Sequence, residues 1–271
     1  LEKIKNKLHA FSYIGGKFFL VAILITMMPP HVSFTEVFGG SGSFTLNKPK
    51  SKVETYNDIN SDVVNFFRVL RNQPDALLML LHLTPYARQE FFAARNHIAF
   101  ESCDLERARK FFVKHQQSFA GRGRDFGFGV NKSQATTFKN KIDKLKAISE
   151  RLRDVQIENK DFKFIIQRYG KNKDCFLYLD PPYMHDVRVS TNDYDYEMSE
   201  ADHIEMLKLC KKSPAKILIS GYSSPVYEKY LKKWNRKEVE VSLFCSTKRD
   251  KDNKKPRRTE VFWYNYDLPK A

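Results

Sequence analysis

The sequence predicts an α/β protein built on a mixed sheet, with an inserted helical subdomain and a terminal antiparallel hairpin. Three observations carry this reading. Short apolar segments recur with helical stretches between them, the pattern of strands joined by helical crossovers. The last two apolar segments are joined by a basic loop rather than a helix, as in a hairpin. From Asn72 to Arg153 the chain shows helical patterning without a convincing strand.

Taken in order, the first apolar run is Phe18 to Pro30 (FFLVAILITMMPP). It is too short to span a bilayer and is closed by two prolines, so it reads as a buried helix. Strands are expected at 33–38 (SFTEVF), 52–57 (KVETYN), 175–180 (CFLYLD) and 216–222 (KILISGY). The hairpin is expected from 238–244 (EVEVSLF) and 259–266 (TEVFWYNY). Between Asn60 and Leu83 the pattern is helical, with Val63, Phe66, Phe67 and Leu70 on one face, and Ile142, Leu145, Ile148 and Leu152 mark another amphipathic helix. MSEADHIEML opens a further helix, with Ser199 as N-cap and Asp202 at the N3 position of a capping box. A Gly/Arg-rich stretch, SFAGRGRDFGFGVN (118–131), interrupts the helical region. No internal repeat is present.

A chain of 271 residues with 42% hydrophobic content is long enough for a substantial core and one insertion. Lysine and arginine outnumber aspartate and glutamate by 47 to 32, a net charge of +15. That balance points to a phosphate-rich partner. Cys103, Cys175, Cys210 and Cys245 are widely spread without a C-x-x-C pair. Neither a zinc site nor a disulfide framework is indicated, and a reducing cytoplasm is expected.

Four motifs carry chemistry. EVFGGSGSF (36–44) ends a strand in a glycine-rich turn that lets a nucleoside approach the backbone. It fails as a dinucleotide fingerprint, because after Gly40 and Gly42 the third glycine position holds Thr45. A cofactor lacking phosphate therefore fits it better. Asp58, in YNDIN, ends the next strand, where an acid can accept from ribose hydroxyls or cap the following helix. SYIGGK (12–17) offers the Tyr13 ring to cover a base and the Lys17 ammonium to meet a carboxylate, or forms a simple turn.

DPPY (180–183) is the strongest signal. An exocyclic amine on a nucleobase is a poor nucleophile because its lone pair is delocalised into the ring. Accepting its two N–H hydrogens with the Asp180 carboxylate and the Pro181 carbonyl would localise that pair toward an electrophile. Pro181 and Pro182 hold the acceptors still, and Tyr183 offers a face on which the base can stack. Two basic segments complete the set: Arg122 and Arg124 interleaved with phenylalanines, and the loop carrying Lys248, Arg249, Lys254, Lys255, Arg257 and Arg258. Arginines read guanine edges or grip phosphates, whereas lysines mainly grip phosphates. The residues alone leave open adenine N6 or cytosine N4, in DNA or RNA, as the reacting amine, and also a DNA-binding protein without catalysis.

Over nearly its whole length the sequence resembles the Dam-like (D12 class, α group) DNA adenine-N6 methyltransferases, particularly the shorter prophage forms. YIGGK resembles that family's N-terminal cofactor motif, EVFGGSGSF its glycine loop, YNDIN its ribose-binding acid and LDPPY its catalytic motif. IENKDF (157–162) resembles the segment whose acid meets the cofactor adenine. The resemblance implies a Rossmann-like methyltransferase fold, with a catalytic domain formed by 1–71 and 154–271 and a helical target-recognition insertion at 72–153. It implies S-adenosylmethionine as cofactor, bound by Tyr13, Gly16, Lys17, Phe38, Gly40, Gly42, Asp58, Asp161, Phe162 and Asp180. It further implies double-stranded DNA as partner, a flipped-out adenine as target and direct transfer without a metal. A monomer is expected, in the cytoplasm of a bacterial or phage-infected cell and associated with the nucleoid, acting alone or beside a restriction endonuclease that it does not contact. An acid at position 180 favours adenine, since cytosine-N4 enzymes commonly have serine there. SFAGRGRDFGFGVN departs from the GATC-specific members, so the recognised DNA sequence does not carry over.

Overall fold

The structure, a computed structural model, describes residues 7–13, 15–97, 101–184, 196–242 and 257–269. In chain order the elements begin with α1 (Val21–Thr26), β1 (Ser33–Glu36), α2 (Ser43–Asn47), β2 (Val53–Asn57), α3 (Ser61–Asn72) and α4 (Pro74–His82). They continue through α5 (Arg88–His97), α6 (Asp104–Gln116), α7 (Gln134–Asp143), α8 (Leu145–Leu152), β3 (Val155–Glu158) and α9 (Phe162–Tyr169). The last are β4 (Cys175–Leu179), α10 (Glu200–Lys212), β5 (Lys216–Gly221), α11 (Pro225–Tyr230), β6 (Asn235–Ser242) and β7 (Arg257–Tyr264). The chain divides into two compact units, residues 1–27 with 39–160, and residues 28–38 with 161–271.

In the first unit β2 and β3 pair in parallel, Glu54 opposite Val155 and Asn57 opposite Glu158. Strand β3 has no counterpart among the strands expected from sequence. The face of α3 read from its periodicity is the buried one, with Val63, Phe66, Phe67 and Leu70 all in the core. The expected helix from Asn60 to Leu83 is two helices, because Pro74 forces Gln73 out of the helical region (φ −136°, ψ 49°) and then starts α4 at its first turn. Phe11 meets Phe66 and Phe111 edge to face, with centroids at 5.3 and 5.0 Å. Helices of the 72–153 stretch thus share one core with α3 and the N-terminal segment, through Leu77, Phe111, Leu145 and Ile148.

The run expected as a buried helix at 18–30 is corrected by the structure. Only Val21–Thr26 is helical; Val21 and Leu24 are buried while Phe19 is 60% exposed. Residues 18–20 form a turn closed by Leu20 N–H donating to the Lys17 carbonyl at 2.8 Å. Met28 leaves the helix because it precedes Pro29.

In the second unit five strands lie in the order β1, β4, β5, β7, β6. β1, β4 and β5 are parallel, β7 is antiparallel to β5, and β6 pairs with β7 as a hairpin. The mixed sheet and terminal hairpin expected from sequence are present, with β6 starting three residues earlier than its alternation suggested. Ser199 caps α10 in a full capping box with Asp202. Leu177, Leu179, Ile217, Ile219, Met206 and Trp263 form this unit's core. Among the described residues, no helix is long and apolar enough to cross a membrane.

Candidate active site

In the first unit the glycine turn is strapped onto the end of β2 by three bonds. Gly39 N–H donates to the Asn57 carbonyl at 2.8 Å, Gly40 N–H to Asp58 Oδ2 at 2.7 Å, and the Tyr56 hydroxyl to the Gly40 carbonyl at 2.6 Å. Gly40 and Gly42 have φ of +49° and +65°, values that L side chains rarely adopt. A Cβ on Gly40 would stand 3.2 Å from the Tyr13 ring, and one on Gly16 3.4 Å from Ser41 Oγ. The YIGGK segment and the glycine turn are therefore neighbours. Two side chains that sequence reasoning missed hold this corner: Tyr56, and Asn47, which binds the backbone N–H and C=O of Leu8 at 2.7 and 2.8 Å. Lys17 is buried, with its Nζ 3.5 Å from the Gly15 carbonyl.

Asp58 is buried and divides its oxygens between the turn and the next helix. Oδ2 accepts from Gly40, and Oδ1 accepts from Asn60 N–H at 2.8 Å. Burial pushes its carboxyl above the ordinary carboxylate value, against the pull of the Asn60 and Gly40 N–H groups. The capping role considered for Asp58 belongs instead to Asn60, whose side chain accepts from Asp62 N–H at 2.9 Å. A buried acid latched to a left-handed glycine turn, with an aromatic ring against that turn, fits a nucleoside cofactor carrying ribose hydroxyls.

Gly39 was not singled out in the sequence, yet it is the tightest point. A Cβ there would lie 2.1 Å from Tyr56 Cε2. Gly39→Ala is expected to displace the turn at a cost of about 1–3 kcal/mol, weakening cofactor binding by roughly 5- to 150-fold. Calorimetric titration checks this, and an unchanged affinity would show that the turn does not form the cofactor cradle.

In the second unit Asp180 follows the last residue of β4. Its Oδ1 accepts from Ser220 Oγ of β5 at 2.9 Å. Three residues on, the Tyr183 hydroxyl donates to Glu260 Oε1 at 2.9 Å, and its ring lies 4.3 Å from that of Tyr222. The Arg258 guanidinium sits 5.2 Å over Tyr222. Asp180 and Tyr183 are thus both fixed by neighbours that the motif does not name. Phe38 stacks on Phe162 with centroids 5.9 Å apart. Asp161 is exposed and caps α9, its Oδ1 accepting from Lys163 N–H at 2.8 Å.

Arg122 and Arg124 are exposed on a loop with a defined frame. Ser118 Oγ accepts from Gly123 N–H at 2.9 Å, Phe119 N–H donates to Asp125 O at 2.7 Å, and Arg95 donates to the Arg124 carbonyl at 2.7 Å. Arg257 pairs with Glu240 across the hairpin at 3.0 Å. Lys248, Arg249, Lys254 and Lys255 lie outside the described residues. Among the described residues, no group of three or more His, Cys, Asp or Glu side chains could hold a metal ion.

A strand-end acid at the start of DPPY, and separately a glycine turn latched to a buried acid, suit an amine methyltransferase. Residues 13–243 match the family described as D12 class N6 adenine-specific DNA methyltransferase, and the chain belongs to that family. It is 26% identical to the type II methyltransferase M1.LlaDCHI of Lactococcus lactis subsp. cremoris, over 98% of each chain. It is also 26% identical to the type II methyltransferase M.MjaIII of Methanocaldococcus jannaschii, over 89% of this chain and 93% of that one. The DNA N-6-adenine-methyltransferase of Escherichia phage P1 is likewise 26% identical, over 79% of this chain and 30% of the phage protein. The activity is adenine-N6 methylation of DNA, with S-adenosylmethionine as methyl donor.

Proposed function

We propose that the chain binds duplex DNA at a specific sequence, takes one adenine out of the stack and presents its N6 amine to Asp180 and Pro181. The observation that carries this reading is the fixed Asp180 carboxylate, held by Ser220 at 2.9 Å at the start of DPPY. Asp180 and the Pro181 carbonyl accept the two N–H hydrogens, so the nitrogen lone pair turns toward the incoming methyl group. Tyr183, its hydroxyl anchored on Glu260, supplies the face on which the base stacks. The bound cofactor supplies a methyl group on a sulfonium, already a strong electrophile. Transfer to the amine would release the cofactor as a neutral thioether, and the methylated amine would give its extra proton to solvent water.

Tyr13, Gly16, Lys17, Gly40, Gly42 and Asp58 hold the cofactor in this reading, with Phe38, Asp161, Phe162 and Asp180 contributing. The helices of 72–153 carry target recognition. Arg122, Arg124 and the basic loop from Lys248 to Arg258 grip DNA, so affinity falls steeply with salt. Extruding the base costs a few kcal/mol, which backbone contacts offset. The protein works as a monomer in the cytoplasm, at the nucleoid, alone or beside a restriction endonuclease that it does not touch.

The substrate class is tested with S-adenosylmethionine labelled in its methyl group, offered with unmethylated duplex DNA and, separately, with RNA. Label is expected in the duplex alone. Label in RNA and none in DNA would overturn the reading.

A further inference from the structure

Asp180 is held by a serine that has no packing reason to be there. Parallel pairing sets Leu179 beside Ile219, which brings Ser220 level with Asp180. Ser220 follows Ile217, Leu218 and Ile219 on β5 and is fully buried. A hydroxyl in such a place costs stability unless it is hydrogen-bonded. Its Oγ lies 2.9 Å from Asp180 Oδ1 and 2.9 Å from the hydroxyl of Tyr178, itself buried on β4.

The direction of these bonds follows from counting protons. An ionised carboxylate only accepts, and a serine hydroxyl has one hydrogen to give. Ser220 faces two acceptors, Asp180 Oδ1 at 2.9 Å and the more distant Leu179 carbonyl at 3.4 Å; it gives its hydrogen to the nearer Asp180, and Tyr178 donates to Ser220 Oγ. The result is an ordered chain from Tyr178 through Ser220 to Asp180.

We infer that Ser220 is a positioning residue for methyl transfer, with Tyr178 behind it fixing the direction in which it donates. The chain holds the plane of the Asp180 carboxylate before the amine arrives, so none of that ordering is left to the transition state. The inference rests on the proposed role of Asp180. A merely structural pair of hydroxyls would affect melting temperature and leave turnover alone.

The test is single-turnover methyl transfer to duplex DNA by the full chain, with cofactor affinity and melting temperature measured alongside. Ser220→Ala is expected to lower the rate by about 10- to 100-fold, the loss of one hydrogen bond to a charged group. Cofactor Kd and the KM for DNA stay within about twofold, because the pre-set carboxylate stabilises the transition state and not the bound ground state. Ser220→Cys, which keeps a weak donor, recovers part of the rate. Tyr178→Phe lowers the rate roughly threefold in the native background and has no further effect beside Ser220→Ala, because both act through one bond. A native rate in Ser220→Ala, whatever its melting temperature, would overturn the inference. Should that variant not fold, a native rate in Tyr178→Phe would do so. Asp180→Ala in the same series separates the two claims: if it turns over normally, the role of Asp180 falls; if it is inactive while Ser220→Ala is normal, only Ser220 is excluded.

Discussion

Asp180→Ala is expected to lower the rate of methyl transfer by about 10²–10⁴-fold, the range seen when a proton-accepting or charge-stabilising group is removed from a reaction centre. The adenine amine keeps its lone pair in the ring unless both hydrogens are accepted, and the Pro181 carbonyl alone accepts one. The loss should fall on the rate rather than on assembly. The Asp58 latch and the glycine turn are untouched by the substitution, so cofactor affinity falls much less than the rate. Stopped single-turnover assays with titrations of cofactor and DNA check this. Near-normal turnover would remove Asp180 from the mechanism, and a loss confined to DNA affinity would make it a binding residue only.

Glu54→Ala is expected to lower the melting temperature by about 6–20 °C. Glu54 and Lys48 are both buried, and they bond directly. Arg151 grips the same carboxylate with two nitrogens, at 2.6 and 2.9 Å, and donates also to the Thr45 carbonyl at 2.6 Å. This network ties α2, which follows the glycine turn, to β2 and α8. Removing the acid takes the carboxylate away from the buried Lys48 and the partly buried Arg151, which keep only neutral oxygens of Pro49, Ser51 and Thr45 among these bonds, costing about 3–5 kcal/mol, and in a chain of this size each kcal/mol is worth about 2–4 °C. Burial opposes ionisation of Glu54, but hydrogen bonds from Arg151 and Lys48 outweigh it and hold the carboxyl below its usual value. Because the folded value lies below the unfolded one, this contribution is complete above the unfolded value and is lost as pH falls through the folded one. The gap in melting temperature between the native chain and Glu54→Gln should therefore narrow in acid. A gap independent of pH would contradict the assignment.

Much of the fold is written in local patterns. The α3 face, the Ser199 capping box and the parallel strands of the second unit follow from periodicity and end signals, which depend only on neighbouring residues. What was missed depends on distant pairing. β3 is four residues, VQIE, too short for its alternation to stand out between Asp154 and Asn159, and it pairs along the edge that β2 offers. Gly39 reads as one more loop glycine until Tyr56 is placed beneath it. Ser220 reads as a tolerated polar residue until β5 is set beside β4. Asp58 and Asn60 both suit a cap, and only the Gly40 amide decides between them. The motifs therefore name the candidate site residues, while the neighbours that fix them in place emerge from the three-dimensional pairing.

The most direct test of the central claim is mass spectrometry of the nucleosides from unmethylated duplex DNA after incubation with the protein and S-adenosylmethionine. N6-methyladenine, without N4-methylcytosine, is the expected product. N4-methylcytosine, or unmodified DNA from a protein that binds the cofactor, would contradict the account.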